Sequence, residues 1–233
     1  MDTRSAIIKA AATLLARSPS ADVSTRAVCE AAGVQQPVLY RFFNDKDDLL
    51  AATIDHVWDQ YLAVKRAAEK SEDPLFDLRA GWDSHTAFAL ANPSAYKLMC
   101  SPTLRSEPAA AAEAMRLLRE VLERLAVQGR LRVLPEEAAR MVMAGNTGVA
   151  LALISRPSQY PDVSLSTLVR DAVHRAILVD LPADGSPADD ARRAAATTLA
   201  SSLDDLTPEP FTSAESALLG QWLAQIAEAR PAD

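Results

Sequence analysis

A glycine between two short helical patterns constrains the fold of this chain more than any other feature. Ser24 is a good N-cap for a helix from Thr25 to Ala32, and Gly33 follows where a helix ends in the left-handed conformation. A second helix is predicted to start near Gln35, with Pro37 in its first turn, where the missing N–H costs nothing. Two short helices joined by a tight glycine turn indicate a helix-turn-helix.

The segments on either side of this pair also have helical patterns. Apolar residues repeat along one face from about Thr3 to Arg17, which predicts a first helix. A long helix is predicted from about Asp45 to Lys70, with Asn44 as its N-cap and acidic residues that complement the helix dipole in its first turn. We expect the buried stripe of this helix to consist of Leu50, Ile54, Val57, Tyr61 and Val64.

The rest of the chain shows further helical stripes and no strand pattern. The segment from Met141 to Ile154 is apolar almost all round and predicts a central helix, in which Gly145 and Gly148 would let another helix approach closely. Thr212 and Glu215 form a capping box before the last helix. That helix is expected to bury Leu219, Trp222, Leu223 and Ile226.

These patterns predict an all-α protein with two domains. The first is an N-terminal three-helix DNA-binding domain of the helix-turn-helix kind over residues 1–47. The second is a larger C-terminal helical domain over residues 48–233. With 49% hydrophobic residues in 233, the chain is long and apolar enough to form real cores.

Charge is distributed unevenly along the chain. The net charge of −7 argues against a nucleic-acid partner, but residues 1–43 hold five basic and three acidic side chains, while the remainder holds 19 basic and 28 acidic ones. A slightly basic N-terminal segment before an acidic remainder is compatible with DNA binding by that segment alone.

The sequence also predicts where the protein works. The charged N-terminal segment lacks the long apolar stretch of a secretory signal. The longest charge-free helical run, Met141 to Ser155, is 15 residues and too short to cross a bilayer. Cys29 and Cys100 both lie in helical apolar patterns, which predicts free thiols. We therefore expect a soluble cytoplasmic protein without a membrane partner.

Two glutamines stand at the start of the second short helix, where a recognition helix meets base edges. The amide of Gln35 or Gln36 offers one donor and one acceptor, which suits the N6 and N7 atoms of adenine. This placement predicts that the segment reads double-stranded DNA.

The stretch from Ile7 to Leu50 resembles the TetR family of bacterial transcriptional repressors. The resemblance rests on "IIKAAATLLA", "VSTRAVCEAAGV" and "QQPVLYRFFNDKDDLL". These match an amphipathic first helix, then T-x-x-x-x-x-x-A-G-V, then L-Y-x-x-F-x-x-K-x-x-L. The matching stretch is about one fifth of the chain; "ANPSAYKLM" further along also resembles segments of some members.

The resemblance assigns eight residues to DNA. Base-reading positions are implied for Arg26, Gln35, Gln36 and Pro37, of which Pro37 could touch a thymine methyl. Phosphate contacts are implied for Thr25, Tyr40 and Lys46. Phe42 departs from the family pattern, which often has His there, and Arg41 beside it could supply a substitute contact. The plainer alternative is that each of these is an ordinary core or solvated side chain.

The resemblance also implies a small-molecule effector and a homodimer. Apolar and aromatic walls with a few polar groups suit a small organic molecule. The expected pocket residues are Trp82, His85, Phe88, Tyr96, Met99, Leu118, Val121 and Asn146, with core packing as the alternative. A helix-turn-helix dimer must meet two half-sites, and the family forms its dimer from late helices. The candidate interface residues are Leu165, Leu168, Ala172, Val173 and Trp222, with packing on the chain's own body as the alternative.

Two other classes of function fit the sequence less well. An enzyme is not expected, because none of the three histidines lies in a triad or metal spacing and neither a Gly-rich phosphate loop nor G-x-S-x-G is present. We expect no catalytic residue, no metal and no cofactor. An architectural DNA binder uses most of its surface on DNA, which the large acidic body argues against. The expected function is a ligand-responsive repressor that a small organic effector releases from a palindromic operator.

Overall fold

The computed structural model describes residues 2–179, 187–205 and 211–228. Within these ranges the regular elements are helices, apart from one isolated β-bridge between Leu131 and Leu178. The predicted all-α fold class is confirmed. The helices are α1 (Thr3–Ala16), α2 (Thr25–Ala32), α3 (Gln36–Leu39), α4 (Lys46–Ala67), α5 (Pro74–Ala91), α6 (Pro93–Met99), α7 (Ala109–Val127), α8 (Pro135–Ser155), α9 (Ser164–Ile177), α10 (Pro187–Ser201) and α11 (Ser213–Glu228), with a short 3-10 helix at Leu203–Asp205.

The chain divides into two compact units, which we call the N-terminal unit and the C-terminal unit. The N-terminal unit consists of Met1–Glu69, Thr86–Leu117 and Ala150–Pro157. The C-terminal unit consists of Lys70–His85, Leu118–Val149 and Ser158–Asp233. The domain division expected from the sequence, residues 1–47 and 48–233, stays a prediction.

The core of the N-terminal unit forms where α1 meets α2, α4 and α6. Ile7, Ala11 and Leu15 recur every four residues along α1 and are completely or almost completely buried, which makes one apolar face toward these neighbours. The hydroxyl of Ser94 in α6 donates a hydrogen bond of 2.9 Å to the carbonyl oxygen of Ser18. This bond fixes α6 to the loop that follows α1.

The buried stripe of α4 differs from the one expected. Leu50 and Ile54 are buried as predicted, but the stripe continues through Trp58 and Leu62, and Val64 is 66% exposed. The sequence pattern permits either stripe, since residues three and four apart share a helix face. Burial of the indole decides between them, because Trp58 carries the largest apolar surface on this helix.

The N-cap of α4 also lies one residue later than predicted. The Asp45 side chain accepts a hydrogen bond of 2.8 Å from the backbone N–H of Asp48, which makes Asp45 the cap. Asn44 instead donates from its backbone N–H and its amide to the Asp48 carboxylate, at 3.0 and 3.2 Å. Both contacts satisfy donors at a helix start, which explains the acidic run without any further role.

A close helix approach in the C-terminal unit depends on Gly145. A Cβ atom at this position would lie 3.0 Å from a methyl group of Val173 and 3.3 Å from the ring of Trp82. The prediction that glycine at position 145 lets another helix approach closely is therefore confirmed. The prediction was wrong for Gly148, since a Cβ there would have open space within 4 Å.

Helix α11 packs on α10 with only part of its expected face. The capping box is confirmed, because Thr212 and Glu215 exchange hydrogen bonds at the helix start. Leu223 is buried against Ala196, but Trp222 is 53% exposed and Ile226 is also exposed, so the prediction that both point inward was wrong. The apolar stripe of α11 is wider than the surface that α10 covers.

One helix of the described residues is long and apolar enough to cross a membrane by length and composition alone. It is Pro135–Ser155, and 39% of its most apolar 18-residue window is buried inside the protein. Central helices of soluble proteins meet the same criterion.

His174 is a buried titratable group in the C-terminal unit. Its side chain is 1% exposed, and neither ring nitrogen has a hydrogen-bond partner among the described residues. The ring lies edge-on to Trp82, with 6.0 Å between centroids. Burial lowers the pKa of His174 to about 4, and the charges of Arg170 and Arg79 act in the same direction, against Asp171. The folded protein therefore holds this imidazole neutral.

We predict that His174 makes the protein less stable in mild acid. Because its pKa falls from the ordinary 6.5 to about 4 on folding, the unfolded state binds the proton first. The contribution is complete above about pH 6.5 and is lost as pH falls toward about 4, by about 3 kcal/mol. Denaturant unfolding at a series of pH values measures this loss.

Two variants isolate the contribution of His174 from that of the carboxylates. His174→Leu should flatten the free energy of unfolding between about pH 6.5 and 4, relative to the unmodified protein. His56→Gln removes an exposed histidine of α4 and should leave the pH dependence unchanged. An equally steep acid decline in the His174→Leu protein would contradict the prediction.

Candidate nucleic-acid interface

The turn between α2 and α3 has the geometry that the sequence predicts. Gly33 adopts a left-handed conformation with φ of 65°, which L side chains rarely adopt. The N–H groups of Gly33 and Val34 donate to the carbonyls of Glu30 and Cys29, at 3.2 and 2.9 Å, and close the end of α2. Gln35 is the N-cap of α3, and Pro37 lies in its first turn.

Buried apolar side chains anchor both short helices to the core of the N-terminal unit. Val28 and Cys29 of α2, Leu39 of α3 and Phe43 after it are buried. Ser24 caps α2 by accepting the N–H of Ala27 at 3.1 Å. These contacts fix the backbone of the two helices, so that their other faces are presented in a defined orientation.

The predicted base-reading residues all lie on the surface. Gln35, Gln36, Pro37 and Arg26 are exposed. The polar side-chain groups of Arg26, Gln35 and Gln36 have no hydrogen-bond partner among the described residues and are available to a ligand. The placement of these four residues agrees with the predicted role, which remains a prediction.

The predicted phosphate-contact residues have mixed environments. Tyr40 is 47% exposed, and Arg41 is exposed. Thr25 and Lys46 are half-buried. Phe42 is exposed whereas Phe43 is buried, so the aromatic ring at the departure from the family pattern points to solvent.

Lys46 has a partner that the sequence analysis missed. Its ammonium group lies 2.6 Å from Oδ1 of Asp22, which precedes α2. The same oxygen accepts the backbone N–H of Val23 at 2.8 Å. These contacts hold the pKa of Asp22 below its usual value, with the hydrogen bond from Lys46 as the largest cause. No sequence signal links two residues 24 positions apart, because only the tertiary fold, in which α2 and α4 both pack on α1, brings them together.

Two of the predicted ligand-contact residues meet inside the N-terminal unit. Phe88 and Tyr96 flank the buried Trp58 of α4, with ring centroids 4.6 and 5.9 Å from the indole. Tyr61 stacks on Phe88 at 4.5 Å. Met99 in the same unit is half-buried. Trp58 and Tyr61 were expected on α4 but were not assigned to this cluster.

Three others meet or lie near one another in the C-terminal unit. The amide of Asn146 donates to the backbone carbonyl of Trp82 at 3.1 Å, and the indole N–H of Trp82 donates to the hydroxyl of Ser166 at 2.9 Å. His85 is buried one helical turn after Trp82. Leu118 and Val121 are half-buried. The amide oxygen of Asn146 has no partner among the described residues.

An open cleft of about 550 Å³ lies between α4 and α7 in the N-terminal unit. Its wall combines charged side chains with alanines and one leucine, and none of the predicted ligand-contact residues lines it. The charges are paired: Glu113 bonds Arg116 at 2.7 Å and Arg66 at 3.4 Å, and these contacts lower the pKa of Glu113 to about 2. Asp55 accepts the backbone N–H of Ala110 at 2.9 Å. These ionic and polar contacts therefore join α4 to α7 across the cleft.

The predicted interface residues leave an apolar surface on α9 and α11. Leu168 is 69% exposed, and Ala172 and Trp222 are exposed. Leu165 and Val173 are half-buried, with Val173 against the Gly145 position. In the described part of the chain, no group of three or more metal-ligating side chains is placed to hold a metal ion.

Comparison with known proteins gives one family and many related folds. Residues 7–53 match the family model described as bacterial regulatory proteins, tetR family. No curated protein sequence matches the chain. A putative TetR-family transcription regulator from Shewanella sp. PV-4 has a TM-score of 0.59 at 20% identity, over 76% of this chain and 99% of its own.

Two other solved structures show the same fold. A TetR variant from Acinetobacter baumannii in complex with minocycline has a TM-score of 0.56 at 21% identity, over 75% of this chain and 93% of its own. NalD, the secondary repressor of the MexAB-OprM multidrug efflux pump in Pseudomonas aeruginosa, has a TM-score of 0.55 at 18% identity, over 76% of this chain and 98% of its own.

The matched family segment coincides with the helices and the glycine turn just described. It begins within α1 and ends within α4, so it contains the whole helix-turn-helix. The expected resemblance is confirmed over this segment. Residues 7–53 match the tetR family of bacterial regulatory proteins, and within them the chain folds as a helix-turn-helix.

Proposed function

We propose that this protein is a homodimeric transcriptional repressor that binds a palindromic operator and leaves it when a small organic effector binds. The observation that carries the proposal is the set of exposed side chains that follows the left-handed glycine turn on a buried apolar base, namely Gln35, Gln36, Pro37, Tyr40 and Arg41. Two amides at a helix start can read adenine edges, while tyrosine and arginine contact phosphates.

The proposed roles separate base reading from positioning. Gln36→Ala should relax the base preference at one position of each half-site, at about 1–3 kcal/mol for the preferred base. Tyr40→Phe removes one uncharged donor to a phosphate and should weaken all duplexes alike, without changing the salt dependence. Duplexes enriched from a random pool, and single-base variants of them, measure both effects by titration.

The two variants serve as controls for each other. Both side chains are exposed, so neither substitution should lower the melting temperature appreciably. Failure of the unmodified protein to enrich any duplex would overturn the proposed DNA binding. Identical changes in sequence preference for both variants would overturn the role assignment alone.

The apolar surface of α9 supports the proposed homodimer. A helix-turn-helix protein that reads a palindrome needs two copies related by a twofold axis. Leu168, Ala172 and Trp222 are exposed apolar side chains on the two late helices α9 and α11. Leu168 and Ala172 lie one turn apart on α9, and exposed apolar side chains that share a helix face are typical of an interaction site.

We predict that Leu168→Glu gives monomers. The variant would bury a charge in the proposed interface, which costs several kcal/mol unless the charge is paired. The matched control is Val64→Glu on α4, since Val64 is 66% exposed and Leu168 is 69% exposed. Sedimentation should show a dimer for the unmodified protein and for Val64→Glu. A dimeric Leu168→Glu protein, or a monomeric unmodified one, would contradict the assignment.

The aromatic cluster around Trp58 is our proposed route from the effector to DNA. Helix α4 begins at Lys46, beside the helix-turn-helix, and its middle is buried against Phe88 and Tyr96. Asp55 and Arg66 tie the same helix to α7. An effector that contacts Phe88 or Tyr96 would shift α4 and with it the start of the helix at the DNA surface.

Two of the related structures support an organic effector. The Acinetobacter protein binds minocycline, a ring-rich molecule, and NalD is described as a repressor of a multidrug efflux pump. For this chain, the aromatic side chains on α4, α5 and α6 suit an apolar or aromatic molecule. The predicted contacts from Trp82, His85, Leu118, Val121 and Asn146 remain predictions.

The test of this route uses a panel of small aromatic compounds. A compound that raises the melting temperature should weaken operator binding by about 5–150-fold, because the two ligands prefer different states. Phe88→Leu should reduce this response, whereas Phe76→Leu should keep it, since Phe76 is 64% exposed and lies outside the cluster. A stabilising compound that leaves operator affinity unchanged in the unmodified protein would rule out α4 as the transmitter.

A further inference from the structure

Asp22 is held in place beside a cation of the proposed DNA surface. The hydroxyl of Ser18 donates to the carbonyl of Asp22 at 2.7 Å and accepts its N–H at 3.2 Å. Ala21 between them has a φ of 56°, in the left-handed region. The loop from Ser18 to Asp22 therefore has a fixed shape, and it directs the carboxylate toward Lys46 at the start of α4.

This carboxylate is ionised and accessible. The pKa of Asp22 is held below its usual value by the hydrogen bond from Lys46, so it carries a negative charge at neutral pH. Its side chain is 64% exposed and that of Lys46 is 41% exposed. An ion pair in such solvent contact contributes little to stability, so another anion can compete for the ammonium group at small cost.

We propose that Asp22 is an intramolecular competitor for the DNA phosphate at Lys46 and thereby sets the affinity and salt dependence of DNA binding. The inference rests on the proposed function, because it needs a phosphate at Lys46. A phosphate that approaches Lys46 also approaches the carboxylate 2.6 Å from the ammonium group, and like charges repel. Counterions leave DNA only where a protein cation neutralises a phosphate, so an ammonium group that stays paired with Asp22 contributes little to the salt slope.

The alternative is that Asp22 positions Lys46 for DNA. The two roles predict opposite changes in DNA affinity when Asp22 is neutralised. If Asp22 competes, its neutralisation strengthens binding and steepens the salt dependence. If it positions Lys46, its neutralisation weakens binding. The surroundings favour competition, since Asp22 lies next to Ser24, Thr25 and Arg26, at the helix start where a second phosphate is expected.

The experiment titrates a labelled duplex of mixed sequence, whose binding depends on phosphate contacts and needs no known operator. Asp22→Asn should bind about fivefold tighter per subunit at low salt, with a slope of log affinity against log salt steeper by about 0.9 per subunit. The amide oxygen of this variant can still accept the N–H of Val23, so the fold should be kept. Asp22→Ser provides a second neutral side chain.

Two controls separate competition from bulk charge. Glu30→Gln removes one exposed acid of α2 for which the described residues offer no ion-pair partner, and should change affinity by less than about twofold. Lys46→Gln removes the ammonium group for which the carboxylate and the phosphate compete. Combined with Asp22→Asn, it should remove the whole gain in affinity and slope.

The possible outcomes are distinct. Tighter binding and a steeper slope for Asp22→Asn, both dependent on Lys46, support the inference. Weaker binding, or a change equal to that of Glu30→Gln, overturns it while the unmodified protein still binds. If the unmodified protein binds neither this duplex nor any enriched from a random pool, the proposed function itself fails.

Discussion

Burial of Trp58 is the interaction on which the N-terminal unit depends. The indole is fully buried between Phe88 and Tyr96, and it decides which face of α4 turns inward. Large aromatic surfaces dominate core energetics, so the register of this helix follows from one residue. Because α4 begins at Lys46, this burial also fixes where the ammonium group lies at the DNA surface. A side chain far from DNA thereby determines the geometry of a proposed DNA contact.

The start of α4 shows how acidic side chains serve a protein that is proposed to bind a polyanion. Asp45 caps the helix, Asp48 binds Asn44, and Asp47 bonds Arg105 of the segment between α6 and α7 at 3.1 Å. Asp45 and Asp48 satisfy local donors, Asp47 pairs with a distant arginine, and acids at a helix N-terminus complement the helix dipole. Asp22 differs from them, because its partner is a proposed phosphate ligand and not a backbone group alone. In our proposal its charge acts on DNA binding, whereas the others act on folding.

Local signals in the sequence were sufficient to predict the helix-turn-helix. They were insufficient to predict the tertiary contacts of the helices around it. Gly33 and Ser24 act on backbone groups within four residues, so their roles could be predicted from spacing alone. The choice of Trp58 over Val57 and the pairing of Lys46 with Asp22 are tertiary effects. They depend on which helix packs opposite, and a helical stripe does not contain that information. The ligand-contact residues were chosen by the same reasoning from stripes and remain predictions.

Helix α9 combines two opposite faces that the sequence pattern did not separate. His174 and Ile177 are buried within the C-terminal unit, whereas Leu168 is 69% exposed. The neutral imidazole of His174 lies beside Trp82 on the interior face. The exposed leucine on the other face is removed from water only when a partner surface covers it. The unit therefore holds α9 by one face and presents the other. A helix held in this way is preorganised for a second copy, since little conformational freedom remains to be lost on association.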